Sequence, residues 1–137
     1  MIKYIYSTEN IQPQQIEGFC VDWQNPLSPE IHLKLLQNSD EIVLAIDNET
    51  AKVVGFITAI TDKVISAYIP LIEVLPNYQN QGIGSELMRL MFERLQLFYM
   101  IDLLCDCKLQ PFYTKLGMQT VMGMCIRNQE AIDRTIQ

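Results

Sequence analysis

Hydrophobic and polar positions alternate at the start of the chain. Ile2, Tyr4 and Tyr6 recur with a period of two, and the polar residues 7–10 end the run. A period of two is typical of a strand with one buried face, and the polar residues that follow it are typical of a turn. The pattern therefore predicts a short first strand.

Two helices are predicted between this strand and the next apolar run. The first covers Pro13 to Val21, and the second follows Ser28-Pro29-Glu30 with apolar residues at 31, 33, 35 and 36. Proline is favoured in the first turn of a helix, and serine is favoured just before it. The six residues 22–27 form the loop between the two predicted helices.

Three apolar runs then predict a meander of strands. They cover Ile42 to Ile46, Val53 to Ile60 and Val64 to Leu75, with polar turns between them. Pro70 lies inside the third run and has no backbone N–H to donate to a ladder. We therefore expect a bulge, or a parting of strands, near residues 70–74.

The remaining pattern predicts a helix, a strand, a short helix and a last strand. Apolar residues at helical spacing run from about Gly82 to Leu97. Phe98 to Cys105 is predicted as a strand, Gln110 to Leu116 as a short helix, and Met118 to Ile126 as a strand. Residues 128–137 are expected to form a tail or a final helix.

The order of these elements is β-α-α-β-β-β-α-β-α-β. This order predicts an α/β fold of the mixed α+β class. Residues 1–137 contain no internal repeat and no linker-like tract, so the pattern predicts one domain. Apolar residues make up 49% of the chain, which is ordinary for a globular protein.

Charge and cysteine content narrow the class of protein. The net charge is -6 and no basic run is present, so neither nucleic acid nor an anionic membrane is an expected partner. The chain begins with no signal-peptide pattern, and its longest apolar stretch is too short to span a membrane, so a cytoplasmic location is expected. The four cysteines lack metal-binding spacing, which predicts reduced thiols and no metal.

Two glycines at the predicted start of the long helix are the first candidate for chemistry. Gly82 and Gly84 follow the strand that ends at Leu75 and Pro76. Glycines allow backbone amides to approach an anion closely, and the start of a helix carries partial positive charge. The alternative is a simple tight turn. No Gly-Lys-Ser or Gly-Lys-Thr is present, and a third glycine is missing, so neither a Walker loop nor a dinucleotide fingerprint fits.

The surrounding residues resemble the GNAT acetyltransferase superfamily. Its signature is Gln or Arg, two residues, Gly, one residue, then Gly or Ala, after a long strand and a proline. Here the segment reads Gln79-Asn80-Gln81-Gly82-Ile83-Gly84. A second similar motif, Pro111-Phe112-Tyr113-Thr114-Lys115-Leu116-Gly117-Met118, follows about thirty residues later. The resemblance implies a mostly antiparallel sheet, splayed at its fourth strand to form an acetyl-CoA cleft.

The resemblance also implies which residues bind the cofactor. The phosphate loop and helix start would hold the pyrophosphate, and the strand before it would pair with the pantetheine arm, where a free N–H near Val74 or Leu75 could polarise the thioester. The implied set is Val74, Leu75, Gln79, Asn80, Gln81, Gly82, Ile83, Gly84 and Ser85. Many relatives carry an Asn shortly before the last short helix, where this chain has Asp106 and Cys107.

Tyr113 and Glu73 are the catalytic candidates that the resemblance implies. Tyr113 matches the family's tyrosine and would act as the acid for the departing thiolate; otherwise it is a packing residue. Glu73 would accept the amine proton; otherwise it orients the acceptor or faces solvent. A cysteine nucleophile is disfavoured, because Cys105 lies among acidic and apolar neighbours.

Acceptor-binding residues are the least defined by the sequence. Asp22 and Trp23 lie in a loop that borders the acceptor end of the cleft in similar proteins, but they could equally be a surface acid and a core anchor. Asp102 and Asp106 could pair with an amine or face solvent.

The resulting expectation is an N-acetyltransferase that moves an acetyl group from acetyl-CoA to a small amine by direct attack. The alternatives are a non-catalytic acyl-CoA-binding module and a plain nucleotide-binding protein. The region after Gly117 is short for a full terminal hairpin, so a homodimer that completes the acceptor wall is a further expectation.

Overall fold

Six strands form one mixed sheet in the computed structural model, which describes residues 1–131. The strands are β1 (Ile2–Ile5), β2 (Glu41–Asp47), β3 (Val53–Thr61), β4 (Ser66–Tyr68), β5 (Ile72–Val74) and β6 (Met100–Asp102). Their order is β1-β2-β3-β4-β6, and β5 also pairs with β3. All pairs are antiparallel except β4 with β6, which is parallel.

Three helices of the described chain pack around this sheet. They are α1 (Pro29–Asn38), α2 (Ile83–Arg94) and α3 (Gln110–Thr114). Short 3-10 turns occupy Pro13–Gln15, Pro76–Tyr78 and Cys107–Leu109, and residues 129–131 are helical. The cap predicted for α1 is present, since the Ile31 N–H donates to Ser28 Oγ at 3.2 Å. None of the helices in residues 1–131 has the length and apolar character needed to cross a bilayer.

The central strands β2 and β3 are buried on both faces, so they separate two apolar cores. On one face Val43, Ile57 and the apolar stripe of α2 form the larger cluster. On the other face Leu44 and Phe56 pack with residues of α1 and of the segment before it. Burial on both faces explains why these strands are almost continuously apolar.

The predicted parting of strands occurs at Pro70. β4 pairs with the end of β3 and with β6, whereas β5, on the other side of the proline, pairs only with β3 among the described strands. The last bond on the β6 side is from the Ile69 N–H to the Asp102 carbonyl, at 2.9 Å. Because Pro70 has no N–H, the ladder with β6 ends there and a cleft opens beside β5.

Two predicted elements are wrong. Residues 13–21 form a 3-10 turn and irregular backbone rather than a helix, because Gly18 and Cys20 take left-handed conformations with φ of +92° and +58°. Met118 to Ile126 belongs to no strand of the described chain. Residues 119–127 make no backbone–backbone hydrogen bond to the rest of residues 1–131.

The exposure of the terminal segment explains the second error. Val121, Met122, Met124 and Ile126 are 80–98% exposed. An apolar pattern predicts burial, but within the described chain no element covers these side chains. The predicted ends of α2 and β6 were also several residues too long. The expected tail lies mostly outside the described residues, since only 128–131 belong to them.

Candidate active site

A cavity of about 440 Å³ lies between β5, the start of α2 and α3. Most of the residues predicted to bind a cofactor line it, together with both catalytic candidates. They are Glu73, Val74, Gln79, Asn80, Gly82, Ile83, Gly84, Ser85 and Tyr113. Leu75 and Gln81 do not line it. We call this space the donor cavity.

The loop before α2 turns through two left-handed residues. Asn80 has φ of 62° and Gly82 has φ of 85°, and Gly82 is the residue at which the helix begins, with no side-chain cap. The first bond of the helix runs from the Glu86 N–H to the Gly82 carbonyl, at 3.0 Å. The amides of residues 83–85 therefore have no partner within the helix and are available to an anion in the donor cavity.

Side chains of the same loop hold its backbone in place. Gln79 Nε2 donates to the Val74 carbonyl at 2.9 Å, and Gln81 Nε2 donates to the Asn77 carbonyl at 3.3 Å. Both glutamines thus brace the loop internally. The Tyr78 hydroxyl donates to Asp47 Oδ2 at 2.7 Å and ties the loop to the end of β2. That hydrogen bond is the main reason why the pKa of Asp47 is lowered.

Gly84 lies where β5 and α3 approach each other, and its missing side chain leaves the space between them free. A Cβ placed at this position would lie 3.7 Å from Phe112 Cζ and 3.8 Å from Val74 Cγ2. The missing side chain therefore leaves room between β5 and α3, where a ligand can approach the helix start closely.

The free amide of the parted strand belongs to Val74 and not to Leu75. The Leu75 N–H donates to the Val54 carbonyl at 2.9 Å, which leaves Val74 of the two residues near which a free N–H was expected. Amides alternate in direction along an antiparallel pair, and Val74 is opposite Gly55 in the register. The Val74 N–H therefore points away from β3, toward the cleft.

Glu73 is connected to the loop before α1. Its carboxylate accepts a hydrogen bond from the Cys20 N–H, at 2.9 Å from one oxygen and 3.2 Å from the other. Burial raises the pKa of Glu73, the bond from Cys20 opposes that rise, and the nearby charge of Asp22 adds to it. The sequence carried no signal for the Cys20 contact, because the two residues are far apart in the chain and only a backbone atom is used.

Tyr113 lies at the junction of the donor cavity with a second one. Its side chain is 8% exposed, and burial, with a smaller contribution from Cys105, raises the pKa of its phenol. The ring of Phe112 packs edge-on against it, with centroids 5.0 Å apart. Tyr113 thus keeps its proton at neutral pH and can donate it.

The second cavity has a volume of about 570 Å³, and we call it the acceptor cavity. Ile72, Leu109 and Tyr113 line both cavities, so the two meet at these residues. Trp23 and Asp106 also line the acceptor cavity.

Two other predicted acceptor residues lie elsewhere. Asp22 is exposed and does not line the acceptor cavity, although its charge acts on Glu73. Asp102 borders a separate cavity of about 700 Å³ with Tyr68 and Phe92. Asp102 does not line the acceptor cavity, and like Met100 it is exposed on β6.

The sheet parts at a proline, and a helix start with no side-chain cap lies beside the cleft. This arrangement is that of the GNAT-fold acyltransferases. The chain belongs to the acetyltransferase (GNAT) family, because the sequence model of that family matches residues 5–118. The family and the names of the relatives given below support N-acetyltransferase activity.

Individual relatives agree with this assignment. A putative acetyltransferase from Deinococcus radiodurans is 36% identical, with a TM-score of 0.91 over 94% of this chain and 90% of that one. An uncharacterized N-acetyltransferase, ycf52, of Porphyra purpurea is 28% identical over 83% of this chain and 68% of its own length. An aminoglycoside acetyltransferase from a soil metagenome is 22% identical over 93% of each chain, with a TM-score of 0.62, and shares the fold alone.

Proposed function

We propose that the protein transfers an acetyl group from acetyl-CoA to the amino group of a small molecule, in a ternary complex and without a covalent enzyme intermediate. The observation that carries this proposal is the meeting of two cavities at Tyr113. One cavity has the features of a thioester cofactor site, and the other leaves room for a second substrate.

The donor cavity would bind acetyl-CoA through backbone groups. The amides of residues 83–85 face the pyrophosphate, at the positive end of α2. The pantetheine arm lies along β5, whose outer edge has no strand partner in the described chain. The Val74 N–H then donates to the thioester carbonyl and stabilises the negative charge that develops on its oxygen.

The transfer needs one base and one acid. The neutral amine attacks the thioester carbon, a C–N bond forms, and the C–S bond breaks. Glu73 takes the proton from the amine, directly or through water, and its raised pKa makes it a stronger base than an exposed carboxylate. Tyr113 gives its proton to the departing thiolate, whose pKa is close to that of a phenol.

A cysteine nucleophile is not part of the proposal. Burial and the charge of Glu73 raise the pKa of Cys20 to about 12, so this thiol keeps its proton at neutral pH. A protonated, buried thiol is a poor nucleophile.

The base assignment is tested with Glu73→Gln. In the parent enzyme, kcat/KM should fall as the pH drops through the pKa of Glu73, because protonation removes the base. The variant should be slower and should lack that limb of the profile. An unchanged profile would exclude the role of Glu73 as the base.

The whole proposal is tested by binding and by turnover. Isothermal titration should show tighter binding of acetyl-CoA than of ADP, and release of free CoA should depend on an added amine. Tight acetyl-CoA binding with no CoA release across a broad amine panel would favour a non-catalytic binding module. Tighter binding of ADP would favour a nucleotide-binding protein.

A further inference from the structure

Apolar side chains from several segments contribute to the lining of the acceptor cavity, next to polar atoms that expose about as much surface. They include Ile69, Leu71, Leu103, Leu104, Leu109 and Met124. An apolar wall is filled most favourably by an apolar ligand surface.

Trp23 provides an aromatic surface on this wall. The side chain is 37% exposed and lines the acceptor cavity, although most of the loop around it is more exposed. A half-exposed indole gains most when a flat apolar or aromatic group covers it. Its backbone is held by a turn, since the Trp23 N–H donates to the Cys20 carbonyl at 3.2 Å.

The charged groups around the cavity favour one cation and not several. Asp106 and Arg127 are the charged side chains of the described lining, and they have opposite signs. Glu73 lines the donor cavity and not the acceptor cavity, and the charge of Asp22 acts on Glu73 from outside both linings. Arg127 repels a second positive charge, and such a repulsive group is a usual means of rejecting wrong substrates.

We propose that the acceptor is a small primary amine carried on an apolar, preferably aromatic, body, and that Trp23 and Arg127 set this preference. The inference rests on the proposed acetyl transfer. The amino group reaches the junction near Glu73 and Tyr113, while the body of the molecule lies in the acceptor cavity against Trp23. Polyamines and aminoglycosides, which carry several cations, fit these walls poorly.

The first test compares amines at one pH and saturating acetyl-CoA. We expect kcat/KM for 2-phenylethylamine to exceed that for ethylamine, spermidine and kanamycin by at least tenfold. An equal or better rate with spermidine or kanamycin would overturn the inference while leaving acetyl transfer intact. CoA release with none of these amines would defeat both the inference and the proposed function.

Two variants assign the preference to residues. Trp23→Ala should lower the ratio of kcat/KM for 2-phenylethylamine to that for ethylamine at least fivefold, because only the larger amine reaches the indole. An unchanged ratio would overturn the role of Trp23. Arg127→Gln should raise kcat/KM for spermidine at least threefold.

Lys63→Gln is the matched control for Arg127→Gln, because it removes one positive charge from an exposed turn outside both cavities. An equal gain with spermidine in both variants would show an effect of net charge alone and would overturn the role of Arg127.

Discussion

The donor and acceptor sides of the cleft are built in different ways. The donor cavity is formed by two short stretches of chain, residues 72–85 and 109–113, and side-chain bonds from Gln79, Gln81 and Tyr78 hold its loop. The acceptor cavity collects residues from four separate segments, from Trp23 to Arg127. One of its walls comes from residues 123–127. Residues 119–127 make no backbone–backbone hydrogen bond to the rest of the described chain.

The two sides therefore differ in the groups that would recognise a ligand, which are backbone amides on the donor side and side chains on the acceptor side. Under the proposed function, the donor side would bind acetyl-CoA through the backbone, so it would need a particular loop conformation more than particular side chains. The acceptor side would bind through side chains on loops, which can change one at a time without disturbing the sheet.

Tyr113 belongs to both sides, so its loss should affect the chemistry more than the binding of either substrate. We expect Tyr113→Phe to lower kcat about a hundredfold, within the usual range for loss of a general acid. KM for acetyl-CoA should change little, because the ring and its packing remain. Steady-state assays of CoA release check this.

Tyr99→Phe is the control, since Tyr99 is 86% exposed and lines neither the donor nor the acceptor cavity. A drop in kcat of less than fivefold in Tyr113→Phe would remove Tyr113 from the mechanism.

Gly82 tests the donor side alone. An L-residue in this left-handed conformation is strained by about 1 kcal/mol, although nothing lies within 4 Å of an added Cβ. We expect Gly82→Ala to raise KM for acetyl-CoA about fivefold, because the amides of residues 83–85 lose their alignment. The relative kcat/KM values of different amines should stay the same.

Gly117→Ala is matched to that variant. Gly117 has φ of 98° and also has no atom within 4 Å of an added Cβ, but it does not line the donor cavity. Thermal unfolding should show a similar loss of stability in both variants, with KM raised only in Gly82→Ala. The same rise in KM in both would mean that stability, and not loop alignment, controls cofactor binding.

His32 makes the stability of the fold depend on pH. Its ring packs against Phe19 and Phe56, with centroid distances of 5.4 and 4.5 Å, and burial lowers its pKa from 6.5 to about 4. The unfolded chain therefore binds a proton more readily than the folded one, and stability falls as pH drops from 6.5 toward 4. Phe19 contacts His32 and immediately precedes Cys20, whose amide donates to Glu73, so protonation of His32 should also loosen the segment that holds Glu73.

Urea unfolding measures this effect. Between pH 7 and pH 5.5 we expect the free energy of unfolding to fall by about 1 kcal/mol. His32→Leu should reduce that pH dependence. A variant with the same slope as the parent would show that another group titrates in this range.

The conformation of the loop before α2 was largely predictable from the sequence, whereas the contacts around the acceptor cavity were not. The loop follows from contiguous residues whose conformational demands are local, such as the glycine at 82. The parting of β4 from β5 also followed from one residue, Pro70. The sequence left Val74 and Leu75 as alternatives for the free amide, because the direction of an amide depends on the register with β3, which no pattern of residue types reveals.

The acceptor side depends on contacts between distant segments. Cys20 supplies only its backbone N–H to Glu73, so its identity gave no signal. The helix predicted over residues 13–21 was wrong because its apolar spacing did not report the left-handed turns at Gly18 and Cys20. The strand predicted at 118–126 was wrong because pairing requires a neighbouring edge, which the pattern of one segment cannot provide.

The empty space beside Gly82 means that this position selects for handedness and not for size. With φ of 85° and ψ of 3°, its backbone is close to the mirror image of the conformation that L-residues adopt at the third position of a type I turn. A chain assembled by chemical ligation with D-alanine at 82 should therefore keep the loop that L-alanine strains. In the two alanine variants, pyrophosphate recognition would depend on the configuration of the α-carbon at position 82.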